Sequence, residues 1–184
     1  MKHTLLIIAL ALLFCACPAA AQTPQEKEAA RIATREKLRQ LLTDSGPKKG
    51  INISFKQSEK QPFNFVGAKR DGLTNSDFLE VVVSVTADDT IGFRVYPHYK
   101  GSYINLNKAR DSNGLMRLLL NLSDKNFLYW GADSTSDIFA GYTFTLESGF
   151  PDKAVEIVLY SIAPVDGFVG KIRPFLDDAP AHSQ

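Results

Sequence analysis

The sequence predicts an α+β domain, an antiparallel β-sheet with flanking helices in the order helix, four strands, helix, two strands, helix. Three observations predict it. Ile138, Ala140, Tyr142, Phe144 and Leu146 alternate with Phe139, Gly141, Thr143, Thr145 and Glu147, the period of two of a strand with one buried face. Leu79, Val81, Val83 and Val85 repeat that pattern. After Pro151, residues Val155, Val158, Leu159 and Ile162 fall at i, i+3, i+4 and i+7, the stripe of a helix lying on a sheet. Strands clustered with few helices between them suit an antiparallel sheet better than an alternating parallel one.

The first 21 residues read as a secretory signal. Lys2 and His3 precede an apolar run from Leu5 to Phe14, and Ala19-Ala20-Ala21 supply the small residues of a cleavage site. The run is too short for a stable membrane span. Cleavage after Ala21 starts the mature chain at Gln22; the rival is a lipid anchor on Cys17, which would tether the same domain to a membrane. The expected location is therefore the periplasm or the exterior. Both cysteines, Cys15 and Cys17, lie in the signal, so the mature chain has no disulfide and depends on its core. Residues 22–184 suffice for one domain, with an ordered core expected over about 26–178. Losing Lys2 leaves 20 Lys and Arg against 20 Asp and Glu. That balance gives no reason to expect nucleic acid or an anionic membrane surface as partner.

Residues 26–44 are rich in helix formers, with Leu38, Leu41 and Leu42 as an apolar stripe in the second half. The first half offers little beyond Ile32 and is expected to project into solvent. Ser45-Gly46-Pro47 stops the helix. Strands are expected at Ile51–Lys56 (Ile51, Ile53 and Phe55 inward), at Phe63–Lys69, at Leu79–Val85 and from Ile91 through Val95. His98 to Lys108 is aromatic and polar by turns and receives no assignment. Asp111, Ser112 and Asn113 are three candidate caps for a helix over Gly114–Asp124. Phe127–Ala132 is a short aromatic strand, joined to the Ile138 strand by the polar turn Asp133–Asp137. Pro164 interrupts the final helix, so two parts ending near Asp177 are expected.

Chemistry is sparse. The mature chain holds two histidines, His98 and the tail residue His182, and no cysteine. A zinc site would need a mainly carboxylate shell, which zinc seldom uses. Asp133 and Asp137 lack the Gly and Glu of a compact calcium loop and read as turn formers. No G-x-S-x-G elbow, P-loop or dinucleotide fingerprint is present. No catalytic residue, metal or cofactor is therefore expected. Tyr129 and Trp130 point to opposite faces of one strand. Trp130, if exposed, would anchor a partner. Tyr96, Tyr99 and Tyr103 form a candidate aromatic ligand surface, with Arg94 and Lys100 near enough for cation–π contact. On the Leu-rich helix, taking Leu115 as zero at about 100° per residue, Leu118 falls near 300° and Leu120 near 140°. The apolar arc is wider than one sheet covers, and Leu118 and Leu120 mark its edges as candidates for a partner or dimer surface.

The run LMRLLLNLSDKNFLYWGADSTSDIFAGYTFTLESGFPDKAVEIVLYSI resembles the C-terminal half of YbjN-type proteins, whose fold is similar to that of type III secretion chaperones. The shared features are a Leu-rich helix closing on Asn121, a short aromatic strand, an acidic turn, a long strand ending in Leu146-Glu147 and a final amphipathic helix. The chain departs from the pattern in its export signal and in an extra strand at Phe63–Lys69. The resemblance implies a non-enzymatic module that binds protein, chaperone-like or regulatory, and often dimeric, here placed in the bacterial envelope. The alternative is a small-ligand-binding or hydrolytic envelope protein with its site around the His98–Tyr103 loop.

Overall fold

In the computed structural model, which describes residues 23–177, every strand pairing is antiparallel and the fold is α+β. The N-terminal segment read as a secretory signal, with Cys15 and Cys17, and the tail with His182 lie outside the described residues. By compactness the chain divides within the first described helix, α1 (Pro24–Ser45), into Met1–Ala30 and Arg31–Gln184. In the first unit the described residues begin α1. Thr23 and Glu26 form a reciprocal cap, the Thr23 N–H donating to Glu26 Oε2 at 2.8 Å and the Glu26 N–H to Thr23 Oγ1 at 3.3 Å.

The second unit contains the sheet. Its strands are β1 (Lys56–Gln57), β2 (Asn64–Lys69), β3 (Phe78–Val85), β4 (Thr90–Tyr99), β5 (Ser102–Tyr103), β6 (Tyr129–Ala132) and β7 (Ile138–Thr145). Their order is β1-β2-β3-β4-β7-β6, with β5 paired to the end of β4. Helix α2 (Ser112–Lys125) follows β5. Helices α3 (Asp152–Tyr160) and α4 (Val165–Ile172) close the chain. The two-part ending expected at Pro164 is present. Asp111, one of the three candidate caps, caps α2 by accepting the Gly114 N–H at 2.8 Å.

Alternation along the strands sorts their side chains onto two faces. Leu79, Val81, Val83 and Val85 of β3 and Ile91, Phe93 and Val95 of β4 enter one core, joined by Leu38 and Leu42 of α1, Leu115, Leu119 and Leu122 of α2, Val155 and Leu159 of α3, and Val165 and Val169 of α4. Trp130 belongs here too, edge-on to Phe168 at 6.0 Å. It is 7% exposed, so it cannot anchor a partner; Tyr129, its neighbour, is the exposed one of the pair. The Trp130 backbone N–H, which points away from β7, donates to Ser123 Oγ of α2 at 2.8 Å.

Two elements differ from expectation. Ile51–Phe55 is not a strand, although Ile51 and Ile53 are fully buried. Asn52 takes a left-handed φ of 53°, and the N–H groups of Ile51 and Asn52 both turn back to the Lys48 carbonyl. An irregular segment has imitated the period of two, and only Lys56–Gln57 pairs. The unassigned stretch supplies the end of β4, then β5 and a short 3-10 turn over Leu106–Lys108.

The loop before β3 is held by a buried carboxylate. Asp166, in the first turn of α4, accepts the backbone N–H groups of Thr74, Asn75 and Ser76 and the hydroxyls of Thr74 and Ser76. Burial alone would raise its pKa; the hydrogen bonds from Ser76, Thr74 and Asn75 override that and hold it at about 2.

Candidate functional site

The face of the sheet turned away from the core lines a cleft of about 580 Å3. Strand register fixes its layout. One row runs Asn64, Ser84, Gly92, Thr143 across β2, β3, β4 and β7. The next runs Val66, Val82, Arg94, Gly141, Tyr129 and reaches β6. In the third, Ala68, Glu80 and Tyr96 are register partners, as are Phe139 and Gly131. Phe78 and His98 form a fourth pair. The cleft thus has a half of small polar residues and a half of rings.

The rings form a continuous series. Phe78 stacks on His98 at 3.9 Å, and His98 meets Tyr103 at 4.1 Å. Tyr103 meets Tyr96 at 5.8 Å, Tyr96 meets Phe139 at 5.5 Å, and Phe139 meets Tyr129 at 6.1 Å. Two of the rings lie over glycines directly opposite in register. A Cβ on Gly141 would stand 2.5 Å from the Tyr129 ring, and one on Gly131 would stand 3.0 Å from Phe139. Each ring covers backbone that its partner's missing side chain leaves bare. The third glycine on this face, Gly92, has no such cover. Beyond its chain neighbours nothing lies within 4 Å of the space a Cβ would take.

Arg94 divides the two halves. Its guanidinium lies over the Phe139 ring at 4.6 Å and donates to Tyr96 Oη at 3.4 Å. It is exposed and makes no ion pair among the described residues. The cleft's carboxylates are on the aromatic side and are occupied. Glu80 accepts from Tyr103 Oη at 3.1 Å. Asp133 Oδ1 accepts the N–H groups of Thr135 and Asp137, and Asp137 Oδ1 accepts from Asn105 Nδ2 at 2.8 Å. Burial alone would raise the Asp133 carboxyl, but the hydrogen bonds from Thr135 and Asp137 keep it low. These bonds make Asp133–Asp137 a self-satisfied turn. Burial, and then the Glu80 charge, push the Tyr103 phenol up to about 12; burial also raises Tyr96. Both phenols stay protonated and act as neutral hydrogen-bonding groups.

The other expected site residues separate. Tyr96 and Tyr103 do meet in the cleft. Tyr99 does not join them: it packs toward the core and its hydroxyl bonds Asp177 at 2.6 Å and Arg173 at 3.1 Å. The odd position along β4 sends it to the opposite face. His98 is enclosed between Phe78 and Tyr103, and its Nε2 is buried without a hydrogen-bond partner. Burial pushes its imidazole pKa down, against the charges of Glu80 and Asp77. Among the described residues no carboxylate is hydrogen-bonded to it. On α2, Leu118 is half-buried against the core while Leu120 is 70% exposed. Met116, one turn before Leu120, is 45% exposed, and Phe127, just past the helix, is 55% exposed.

Gly92 and Phe139 escape a reading of pattern alone, while Arg94 and Tyr129 are noticed without their partners Phe139 and Gly141. The usable signal was glycine inside two period-two strands, at 92 and 141, because glycine weakens a strand unless something lies close against it. No protein-family model matches the chain, and no curated protein matches it by sequence.

Proposed function

We propose that this chain is an exported, non-catalytic module of the bacterial envelope that binds another protein, in the manner of a chaperone or regulator. The outer face of α2 carries the reading. Met116 and Leu120 lie one turn apart and both face solvent, with Phe127 beyond the helix end. The exposed part of each adds nothing to folding and costs solubility, although Phe127 also meets Tyr142 at 5.7 Å within the fold. Burying the part of each that is still exposed, 45%, 70% and 55%, against a partner would contribute about 1–2 kcal/mol. Three such residues suit the centre of an interface rather than all of it. The enclosed His98 and the self-satisfied acidic turn support a role without catalysis. The N-terminal segment supports export, and the resemblance to YbjN-type and chaperone-like proteins supports self-association.

Sedimentation over a concentration series, with Leu120→Glu and Leu118→Glu made separately, tests the reading. Wild type should associate, and Leu120→Glu should abolish association with unchanged circular dichroism. Leu118→Glu should destabilise the fold. A wild type that stays monomeric, and that retains no protein from the envelope fraction that Leu120→Glu fails to retain, overturns it. N-terminal sequencing should begin at Gln22; an acylated Cys17 would replace the free exported form with a tethered one. The cleft favours a second reading, small-ligand binding, because it is of ligand size and holds Tyr96 and Tyr103.

A further inference from the structure

We infer that the Gly92 floor and Arg94 form a binding site for a small, hydroxyl-rich carboxylate of the acidic-sugar class. The inference starts from the one glycine that the fold does not explain. Gly131 and Gly141 are bare so that Phe139 and Tyr129 can lie on them. Gly92 lies in β4, an interior strand with β3 on one side and β7 on the other, where a side chain would strengthen the sheet. Its φ lies outside the left-handed region and no neighbour crowds it. Neither backbone conformation nor packing demands glycine. A bare glycine in a strand interior often marks the close approach of a ligand or another backbone, and no other segment of the described chain comes close.

The surroundings specify the ligand. Arg94 follows Gly92 by two residues on the same face, about 7 Å along the strand. The Phe139 ring supports the guanidinium from one side and Tyr96 Oη takes an Nη1 donor, which leaves Nε and Nη2 without a partner among the described residues. A fork without an ion-pair partner matches a carboxylate in two parallel hydrogen bonds. Among the described residues Arg94 is the one cation lining the cleft, against Glu80, Asp133 and Asp137 on its aromatic side, so it can pair with a single carboxylate at most. It does not balance a phosphate dianion. The three carboxylates already accept hydrogen bonds within the fold, which leaves Arg94 as the charged group with donors to offer a ligand. Around Gly92 the cleft changes character. Ser84 and Thr143 are its register partners, and Thr90 and Asn64 lie nearby along the lining. Hydroxyls and amides both donate and accept, as pairing with a polyol requires. The exposed ring of Tyr129 offers an apolar flank to a sugar's C–H face. A cleft of about 580 Å3 lies in the usual range for small ligands, roughly 300–1,000 Å3. This site is on the opposite side of the sheet from the core and does not use the α2 residues of the protein-binding reading.

Titration calorimetry of the purified full chain with glucuronate, galacturonate, glucose and inorganic phosphate tests the inference. At least one uronate should saturate one site, at least tenfold more tightly than glucose or phosphate. Arg94→Gln should reduce that affinity at least tenfold with the melting temperature unchanged. Gly92→Val fills the floor; it should abolish binding while raising the melting temperature. No binding of either uronate overturns the inference, as does phosphate binding more tightly than both. Gly92→Val that keeps the affinity, or that melts earlier than wild type, also overturns it, because the glycine would then serve the fold alone.

Discussion

The two faces of the sheet are made by the same strands and the same ladder, yet they follow different rules. On the covered face Leu79, Val81, Val83, Ile91, Phe93 and Val95 of the two central strands are each at most 1% exposed. On the open face the residues between them are Glu80, Val82, Gly92, Arg94 and Tyr96. Packing accounts for the first set, because any change of volume there is felt by neighbours on all sides. It does not account for the second. Arg94 and Gly92 contribute little to burial, so their presence calls for a cause outside the fold. The lesson is to treat the covered face as the scaffold and to ask of each open-face residue what the scaffold leaves unexplained.

Substitutions sharpen this contrast, and the covered side should give the largest effects. Leu159→Ala removes a side chain 1% exposed from the helical layer and should cost about 2–5 kcal/mol in a denaturant titration. A loss under about 1 kcal/mol would break the comparison at its strongest point. Asp166→Ala strands three backbone N–H groups of the Thr74–Ser76 loop and should cost about 3 kcal/mol. The same carboxylate sets an acid dependence. Its pKa is depressed from 3.8 to about 2, so its contribution is complete above 3.8 and is lost as pH falls through about 2. That contribution is about 2 kcal/mol, and acid melting curves of Asp166→Asn should lack it.

On the open side the effects shrink and one reverses sign. His98 is depressed below 6.5 by burial, so the unfolded chain takes up its proton first. Stability should therefore fall as pH drops below 6.5, and melting curves of His98→Gln should lose that part of the slope. Gly92→Val should stabilise by about 0.5–1 kcal/mol in the same titration. Arg94→Gln should stay within about 0.5 kcal/mol of wild type.

Much of the scaffold was legible before the structure. The period of two in β3 and β7 named the inward residues, and the i, i+3, i+4 stripe named Val155, Val158 and Leu159. Proline and the Asp-Ser-Asn run marked helix ends. These signals are local, and so they survive in a single sequence. The same rule misread Ile51–Phe55, because alternating burial needs no paired strand. The site was less legible because it depends on register. Tyr129 opposite Gly141, Phe139 opposite Gly131, and the bare Gly92 between Ser84 and Thr143 are relations across strands, and spacing along the chain does not encode them. Asp166 was missed for a related reason: its partners are about 90 residues earlier. For α2 the width of the apolar arc was readable. Which edge stays uncovered depends on where the helix rests, and the structure leaves Leu120 outside while half-burying Leu118.

The Ser123–Trp130 hydrogen bond has a consequence for how copies of this chain meet. A strand at the border of a sheet offers unpaired backbone groups that can recruit a strand from another molecule and seed fibres. One border here is β1, two residues long and carrying Lys56, a poor template for growth. The other is β6, where a helix hydroxyl takes up the outward N–H of Trp130. Both borders are blunted by the chain itself, so assembly is steered to side-chain contact and away from strand addition. Ser123→Ala would reopen that donor, and the variant should form thioflavin-positive aggregates sooner than wild type when held at high concentration.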